Sequence, residues 1–250
     1  MGKTALATNI AFSVAKAGTP VGFFSQEMTA PELGSRIISD HTGLNSHKMR
    51  KGEISQDDAR VLQQAKSSLG KLPIVVDESG GHTLGSLVNK ARRWKKRKNI
   101  GFLVIDYIQL MRGPAKGGNS NRAQDIADIT NGLKSLAKEL GVPILALAQL
   151  NRATEQREEK RPQLSDIRES GSIEQDADAV WFAYREEYYL TRREPPVGDV
   201  EKHRQWQAEL ESCRGIAEIV IGKQRHGPIG IVRTQFDAER TKFSDLSRVR

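Results

Sequence analysis

Cysteine is nearly absent from this chain of 250 residues, which contains only Cys213. A single cysteine excludes a framework of intrachain disulfides and a zinc site built from cysteine ligands. The five histidines are not spaced as in a metal-binding motif either. We therefore expect a protein of a reducing compartment, and the cytoplasm fits this expectation best.

Long apolar runs are also missing. No run approaches the length of about 18 residues that spans a bilayer, and the N-terminal residues lack the apolar segment of a signal peptide. We therefore predict neither secretion nor a membrane partner. The formal net charge of +8 favours a polyanionic partner such as nucleic acid.

The first residues contain only the end of a phosphate-binding P-loop. In the complete motif, G-x-x-x-x-G-K-[ST], backbone N–H groups hold the phosphates, the lysine reaches the β and γ oxygens, and the hydroxyl binds Mg²⁺. Gly2, Lys3 and Thr4 match its last three positions. Small apolar residues at helical spacing over 5–17, ended by Gly18, predict the helix that follows such a loop. An ordinary helix start with Thr4 as the N-cap is the alternative.

Strand-like and helical segments alternate along the first 150 residues. This order predicts one α/β domain in which a mostly parallel sheet is covered by helices. The predicted strands are 21–25, 72–77, 102–106 and 143–148. After the helix predicted at 5–17, further helices are predicted at 31–40, 55–69, 83–98 and 123–140.

The last third of the chain has a different pattern. A strand is predicted over 179–184, and two more over 217–222 and 229–236 form a β-hairpin across a Gly-Pro turn. The charged segment 187–214 contains two prolines, and we predict a surface insertion that is partly helical. The segment 113–121, rich in glycine and polar residues, is predicted to be a loop.

Three predicted strands are followed by polar side chains. Ligands bind at the carboxyl ends of parallel strands, so these residues are candidates for a site. Asp106 ends a strand of the Walker B type, whose carboxylate holds Mg²⁺ directly or through water. Glu27 is placed to deprotonate an attacking water, and Gln149 to hydrogen-bond a γ-phosphate. A helix cap, a solvent-facing glutamate and an ordinary strand end are the respective alternatives.

Five motifs, in order, closely resemble those of the bacterial DnaB-type replicative helicase family. The resemblance spans nearly the whole chain and implies a RecA-like P-loop NTPase core with a C-terminal β-hairpin. It also implies an ATP-dependent helicase that moves 5′ to 3′ on single-stranded DNA and unwinds duplex DNA. The motifs are FSQEM at 24–28, IDYIQLM at 105–111, QLNR at 149–152, SDIRESGSIEQDAD at 165–178 and KQRHGP at 223–228.

The resemblance assigns a role in ATP hydrolysis to each candidate residue. Gly2, Lys3 and Thr4 would bind phosphate, with Thr4 and Asp106 at the Mg²⁺ ion. Glu27 would activate water. Gln149 would sense the γ-phosphate.

Two further roles follow from the resemblance alone. Lys223 and Arg225 would reach the nucleotide of a neighbouring subunit, as a lysine piston and an arginine finger. Without the family, they would be a basic hairpin tip in solvent. The implied partners are other copies of the chain in a homo-hexamer, a primase and a helicase loader.

The segment Arg168, Glu169, Ser170 and Gly171 would face the channel of the ring and hold the phosphates of single-stranded DNA. Its alternative is a capping segment before a helix at 172–176. The basic run 92–98 is denser in charge, but it lies near the end of a predicted helix. We therefore interpret that run as a solvated helix face and not as a DNA site.

The sequence also departs from the family. The strand that precedes the P-loop and the first glycines of the loop are not in it, and neither is the N-terminal helical domain. That strand is internal in RecA-like sheets, so we expect unpaired backbone groups and an open apolar groove, which lower stability. We favour a fragment of a longer helicase. A short protein that contacts DNA or subunits without hydrolysing ATP and a RecA-type recombinase are the alternatives.

Overall fold

The computed structural model describes residues 2–113, 122–157, 159–168, 170–196 and 198–246. Their strands form two separate four-stranded sheets, one parallel and one antiparallel. Most of the loop predicted over 113–121 lies outside the described residues.

The parallel sheet has the strand order β2-β1-β3-β4. Its strands are β1 (Val21–Ser25), β2 (Ile74–Asp77), β3 (Phe102–Asp106) and β4 (Ile144–Ala146). The sequence predicted the bounds of β1 and β3, whereas β2 and β4 are shorter than the predicted segments 72–77 and 143–148. Helices connect the strands, because parallel neighbours need a crossover.

Six helices of the described residues accompany this sheet. They are α1 (Lys3–Lys16), α2 (Ala30–Thr42), α3 (Ser46–Lys51), α4 (Gln56–Leu69), α5 (Leu84–Lys98) and α6 (Arg122–Leu140). All except α3 were predicted. Ser55 and Thr83 cap α4 and α5, since their side chains accept backbone N–H groups of the first turn. Among the described helices, none combines the length and hydropathy needed to cross a bilayer.

Both faces of the parallel sheet are buried. Adjacent residues of β1 point to opposite faces, and Phe23 packs with α1 whereas Phe24 packs with α5 and α6. The two rings are 2% and 0% exposed. Burial on both sides explains why β1 and β3 are continuous apolar runs without polar alternation.

Gly22 permits α5 to approach the sheet closely. A Cβ atom at this position would lie 2.7 Å from both Leu103 Cδ2 and Trp94 Cε3. Trp94 also stacks on Phe24 with ring centroids 4.6 Å apart. The helix that carries the basic run is therefore held against the sheet by an aromatic contact on its inner face.

The antiparallel sheet has the order β5-β6-β7-β8. Its strands are β5 (Ala179–Tyr184), β6 (Ile216–Gln224), β7 (Gly230–Asp237) and β8 (Lys242–Asp245). The predicted hairpin is confirmed as β6 and β7. The mostly parallel sheet that the alternation over the first 150 residues predicts is also confirmed. In the second sheet, β5 pairs with the hairpin, and β8, which was not predicted, extends it.

The predicted insertion 187–214 is partly helical, as expected. It contains most of α8 (Glu186–Leu190) and all of α9 (Val200–Cys213), and Trp206 Nε1 of α9 donates to Leu190 O at 2.8 Å. The segment is not wholly a surface feature, since Tyr189 is buried and stacks near Tyr184 of β5.

An apolar groove of about 520 Å³ separates β4 from β5, the edge strands of the two sheets. An edge strand presents unpaired N–H and C=O groups. The sequence predicts an open apolar groove where the strand that precedes a P-loop would lie. The assignment of this groove to that strand stays a prediction. Its apolar lining includes Leu6, Ile10, Ile144, Leu145, Val180 and Phe182.

Candidate active site

Lys3, the first residue of α1, is the meeting point of the site. Gly2 before it has a φ of 99°, a left-handed conformation that favours glycine. Lys3 Nζ lies 3.3 Å from Asp106 Oδ1, 3.5 Å from Glu27 Oε2 and 3.8 Å from the centroid of the Tyr107 ring. A helix start and two strand ends therefore converge on one amine, as the sequence predicted for Lys3, Glu27 and Asp106.

The register of the parallel sheet explains why the two carboxylates are neighbours. Ser25, the last residue of β1, pairs with Asp106, the last residue of β3. The next backbone group, Gln26 N, donates to Asp106 O at 2.8 Å. Glu27 therefore lies at the edge of the sheet where β3 ends with Asp106. This is the edge at which ligands bind to parallel sheets.

Asp106 is suited to a bound cation. Its carboxyl is fully buried, and Oδ2 has no hydrogen-bond partner among the described residues. A buried carboxylate oxygen without a partner is costly, so a ligand is expected there. Thr4, which would supply a hydroxyl, is also buried.

The donor set fits Mg²⁺ better than a metal held by protein alone. Within the described ranges, no three side chains of His, Cys, Asp or Glu are grouped to hold a metal ion. Mg²⁺ commonly keeps waters and binds one or two carboxylates together with substrate phosphates. One buried aspartate beside Lys3, the predicted phosphate-binding residue, matches that pattern.

Tyr107 forms an apolar wall beside Lys3. Burial raises the pKa of Tyr107 above its ordinary value, and the carboxylates of Glu27 and Asp106 raise it further. The phenol therefore remains neutral near physiological pH. Its ring face attracts the Lys3 ammonium and restricts where the amine can lie.

Gln149 lies beyond the end of β4, next to the turn that follows β3. Its backbone N–H donates to Gln109 Oε1 at 3.1 Å, and its carbonyl accepts from Arg168 N at 3.2 Å. The backbone of Gln149 is therefore held from both sides, while the residue itself is exposed. Its predicted role as a γ-phosphate sensor stays a prediction.

Lys223 and Arg225 are paired within their own chain. Lys223 Nζ donates to Glu174 O, at the C-terminal end of α7 (Ser170–Asp176), and lies 3.5 Å from Gln175 O. Arg225 Nη1 lies 3.3 Å from Asp178 Oδ1, and its side chain is half exposed. Neither forms an ion pair with Glu27 or Asp106 in the described part of the chain.

The predicted DNA-binding residues fall at the start of α7. Arg168 precedes this helix, Ser170 begins it and Gly171 follows, whereas Glu169 lies outside the described residues. A Cβ atom at Gly171 would meet nothing within 4 Å. The chain itself therefore does not require glycine there. The alternative of a segment that leads into a helix agrees with these positions, and DNA contact stays a prediction.

Three residues near the site were not singled out from the sequence. Tyr107 and Gln109 lie in the motif IDYIQLM, and their contacts with Lys3 and Gln149 could not be read from it. Arg36 of α2 is the third, since burial lowers its pKa while the charges of Asp106 and Glu27 oppose that effect. A single arginine in an amphipathic helix does not indicate from the sequence that it lies near these two carboxylates.

The basic run ends α5 far from these contacts. Arg92 makes two hydrogen bonds to Glu139 of α6, at 2.7 and 2.8 Å, and Lys95 Nζ donates to Ile100 O at 3.1 Å. The last turn of the helix contains four cations, which interact favourably with its carbonyl end. These observations support the interpretation as a solvated helix face.

Comparison with known proteins gives one family. The family model of the DnaB-like helicase C-terminal domain matches residues 1–245. The chain is 43% identical to the replicative DNA helicase DnaB of Rickettsia prowazekii (strain Madrid E), covering 99% of this chain and 53% of that protein. Identity to the DnaB of Geobacillus stearothermophilus is 41%, with coverage of 99% and 51%. The chain thus spans about half the length of these relatives.

Two solved structures are similar over nearly the whole chain. One, described as an ATPase domain, has a TM-score of 0.83 at 35% identity, covering 98% of this chain and 81% of that one. The other is a DnaB-like replicative helicase described with its interactions with primase. It has the same TM-score and identity and covers 99% of this chain and 55% of that one.

Proposed function

The chain belongs to the family of DnaB-like helicase C-terminal domains, and we propose that it is the ATPase motor of a replicative DNA helicase. In this proposal, residues 1–250 are one RecA-like domain, and 187–214 is an insertion that lies mostly at the surface and is anchored by the buried Tyr189. The motor works in the cytoplasm as a homo-hexamer. It moves 5′ to 3′ on single-stranded DNA and meets a primase and a helicase loader.

The observation that carries the proposal is the convergence on Lys3. An ammonium, a buried aspartate and a half-exposed glutamate, which lie far apart in sequence, meet within 3.5 Å. Both ion-pair distances are long for charge-assisted hydrogen bonds. Lys3 can therefore exchange its carboxylate partners for the phosphate oxygens of ATP, with the first turn of α1 supplying N–H donors.

Glu27 performs the proton transfer in this mechanism. Its side chain is 52% exposed, so it can accept a hydrogen bond from a water beside the bound phosphate. The water oxygen attacks phosphorus while its proton moves to the Glu27 carboxylate, and the bond to the leaving ADP oxygen breaks. Asp106 and Thr4 would hold Mg²⁺, which neutralises charge on the phosphate oxygens when bound.

Gln149 senses the γ-phosphate in this proposal, and the other predicted residues act between subunits and on DNA. Lys223 and Arg225 leave their partners Glu174 and Asp178 to reach the nucleotide of a neighbouring subunit. Arg168, Glu169, Ser170 and Gly171 contact the phosphates of single-stranded DNA through basic and backbone groups. Contact with phosphate instead of bases makes the motor indifferent to sequence.

The test replaces Lys3 in the protein expressed from its longest open reading frame. We expect the unsubstituted protein to hydrolyse ATP faster with single-stranded DNA and to unwind forks that carry a 5′ tail but not forks with only a 3′ tail. Lys3→Met should lower hydrolysis by at least about 10²-fold, because an electrostatic contact to the reacting phosphate is lost.

Lys16→Met is the matched control, since Lys16 is an exposed lysine in the last turn of the same helix. It should leave hydrolysis and unwinding unchanged. Equal activity of Lys3→Met and the unsubstituted protein, or no DNA-stimulated hydrolysis in the unsubstituted protein, would contradict the proposed function.

A further inference from the structure

The chain leaves the parallel sheet immediately after Asp106. It turns into a short 3-10 helix, Ile108–Leu110, in which backbone groups bond within the turn. The last backbone hydrogen bond from this turn to the β4 segment joins Ile108 N to Leu147 O at 3.0 Å. Beyond that point, the backbone of the described residues that follow Ile108 forms no hydrogen bond with the segment after β4.

The side chain of Gln109 takes over as the partner. Its Oε1 accepts the N–H of Gln149 at 3.1 Å. Because the donor is a backbone N–H, the accepting atom must be the oxygen of the amide, which fixes the orientation of the group. One side chain thus holds the backbone of Gln149 where the ladder of the sheet has ended.

The opposite side of Gln149 faces the segment that precedes α7. Its carbonyl accepts from Arg168 N at 3.2 Å, and Asn151 N donates to Asp166 O at 2.8 Å. Leu150 and Ile167 lie between them as an antiparallel bridge. The residues after β4 are therefore hydrogen-bonded to Gln109 on one side and to the segment containing Arg168 on the other.

Gln109 is itself held firmly at its backbone. Arg122, the first residue of α6, donates from Nη2 to Gln109 O at 2.7 Å and from Nη1 to Met111 O at 3.3 Å. The other end of the amide is different, since Nε2 is buried and has no hydrogen-bond partner among the described residues. An unpaired buried donor costs about 1 to 3 kcal/mol, so its retention favours a role beyond folding.

We propose that Gln109 is a positioning residue that couples the nucleotide site to the DNA-binding segment through the backbone of Gln149. The inference rests on the proposed function. Gln109 follows Asp106 by three residues along the chain, its amide accepts the N–H of Gln149, and the Gln149 carbonyl accepts the N–H of Arg168. The two sites are therefore joined by a short stretch of backbone and two hydrogen bonds. A change in the position of Gln149 when the γ-phosphate is lost then reaches Arg168, and DNA binding reaches the nucleotide site in return.

The test uses three variants of the protein expressed from its longest open reading frame. Gln109→Met keeps the length of the side chain and removes the accepting oxygen. Gln109→Glu keeps an accepting oxygen and tests rescue by a conservative change. Gln205→Met is the matched control, because Gln205 is exposed on α9 and makes one long hydrogen bond, 3.5 Å, to Glu201.

The measurements are ATP affinity, hydrolysis without DNA, and hydrolysis with saturating single-stranded DNA. We expect Gln109→Met to reduce the stimulation by DNA about tenfold, within the range of coupling between sites, while ATP affinity and the DNA-free rate stay unchanged. Gln109→Glu should recover most of the stimulation. Gln205→Met should match the unsubstituted protein.

Other results would overturn the inference. Full stimulation in Gln109→Met would exclude coupling through this amide. A parallel loss of ATP affinity and DNA-free hydrolysis in Gln109→Met would indicate a purely structural role, and a Gln109→Glu variant as impaired as Gln109→Met would exclude the accepting oxygen. These outcomes leave the proposed function standing, whereas absence of stimulation in the unsubstituted protein would overturn both.

Discussion

The two sheets of the molecule place their charged residues in opposite ways. In the parallel sheet, the strand ends bring Glu27 and Asp106 to Lys3 within a single chain, and both carboxylates lie within 3.5 Å of the Lys3 amine. In the antiparallel sheet, Lys223 and Arg225, near the end of β6, have polar partners at the C-terminal end of α7 and at Asp178, which directly precedes β5.

The difference indicates how the charged groups assigned to catalysis in the proposed function are divided between the two sheets. The parallel sheet brings its charged groups together by its own topology, since the neighbouring strands β1 and β3 end at one edge. The antiparallel sheet holds its cations in ion pairs and backbone contacts at a surface. Arg225 is half exposed there and can exchange its partner Asp178 for a ligand of another chain.

The strongest way to break this comparison is to replace Arg225. We expect Arg225→Ala to lower DNA-stimulated ATP hydrolysis by about 10³- to 10⁵-fold, the range measured for arginine fingers. ATP affinity should be unchanged, because Arg225 does not contact Lys3 or its partners. Hydrolysis and nucleotide binding are measured on the same preparation, and Arg233→Ala, an exposed arginine of β7, is the control.

Mixing variants decides whether the residue acts between chains. Rings assembled from Lys3→Met and Arg225→Ala protomers contain interfaces at which one chain supplies Lys3 and the next supplies Arg225. Such mixtures should regain part of the hydrolysis that each variant lacks alone. Mixtures no more active than the separate variants would place Arg225 in the site of its own chain.

A smaller effect is expected inside the parallel sheet, at the buried carboxylate of Asp77. Burial alone would raise the pKa of Asp77, but hydrogen bonds from Lys90 and Ser79 and the nearby His82 hold it below its usual value of 3.8. His82 Nε2 lies 3.0 Å from Asp77 Oδ2. Lys90→Met should lower the free energy of unfolding by about 1 to 3 kcal/mol at pH 7.

The pH dependence of this loss has a definite sign. A carboxylate whose folded pKa is depressed stabilises the fold above its unfolded pKa, and the contribution disappears as the pH falls through the folded value. The difference between Lys90→Met and the unsubstituted protein should therefore narrow as the pH falls from 7 to below about 4. Urea unfolding measures it, and Lys96→Met on the exposed face of α5 is the control. A difference independent of pH would contradict the account.

The parallel half of the fold was predictable because its pattern is local. The strands β1 and β3 are apolar runs buried on both faces, and Ser55 and Thr83 mark helix starts by their capping side chains. The helix α3 was missed because it has six residues, and β8 because Lys242–Asp245 is short and half polar. No local pattern states that β5 pairs with the hairpin and not with β4.

The candidate site divides in the same manner. Lys3, Glu27 and Asp106 were predictable because a strand end or helix start defines each position. Tyr107 and Gln109 were not, since their roles depend on an amine and a backbone N–H that come from distant parts of the chain. Periodicity and motif spacing do not predict which distant residues a side chain contacts.

The smallest effect is expected where the charge is densest, at the exposed cations of α5. The triple variant Arg93→Gln, Lys96→Gln and Arg97→Gln should leave the affinity for single-stranded DNA and its salt dependence unchanged. These three side chains are exposed on α5 and belong to neither the Lys3 site nor the segment that precedes α7. Arg168→Gln should instead lower the slope of log affinity against log salt by about 0.7, the value for one phosphate contact on a single strand. Titration at several salt concentrations measures both. A reduced slope in the triple variant would make α5 part of the DNA path, and charge density, not a position at the start of α7, would then identify the DNA-binding residues.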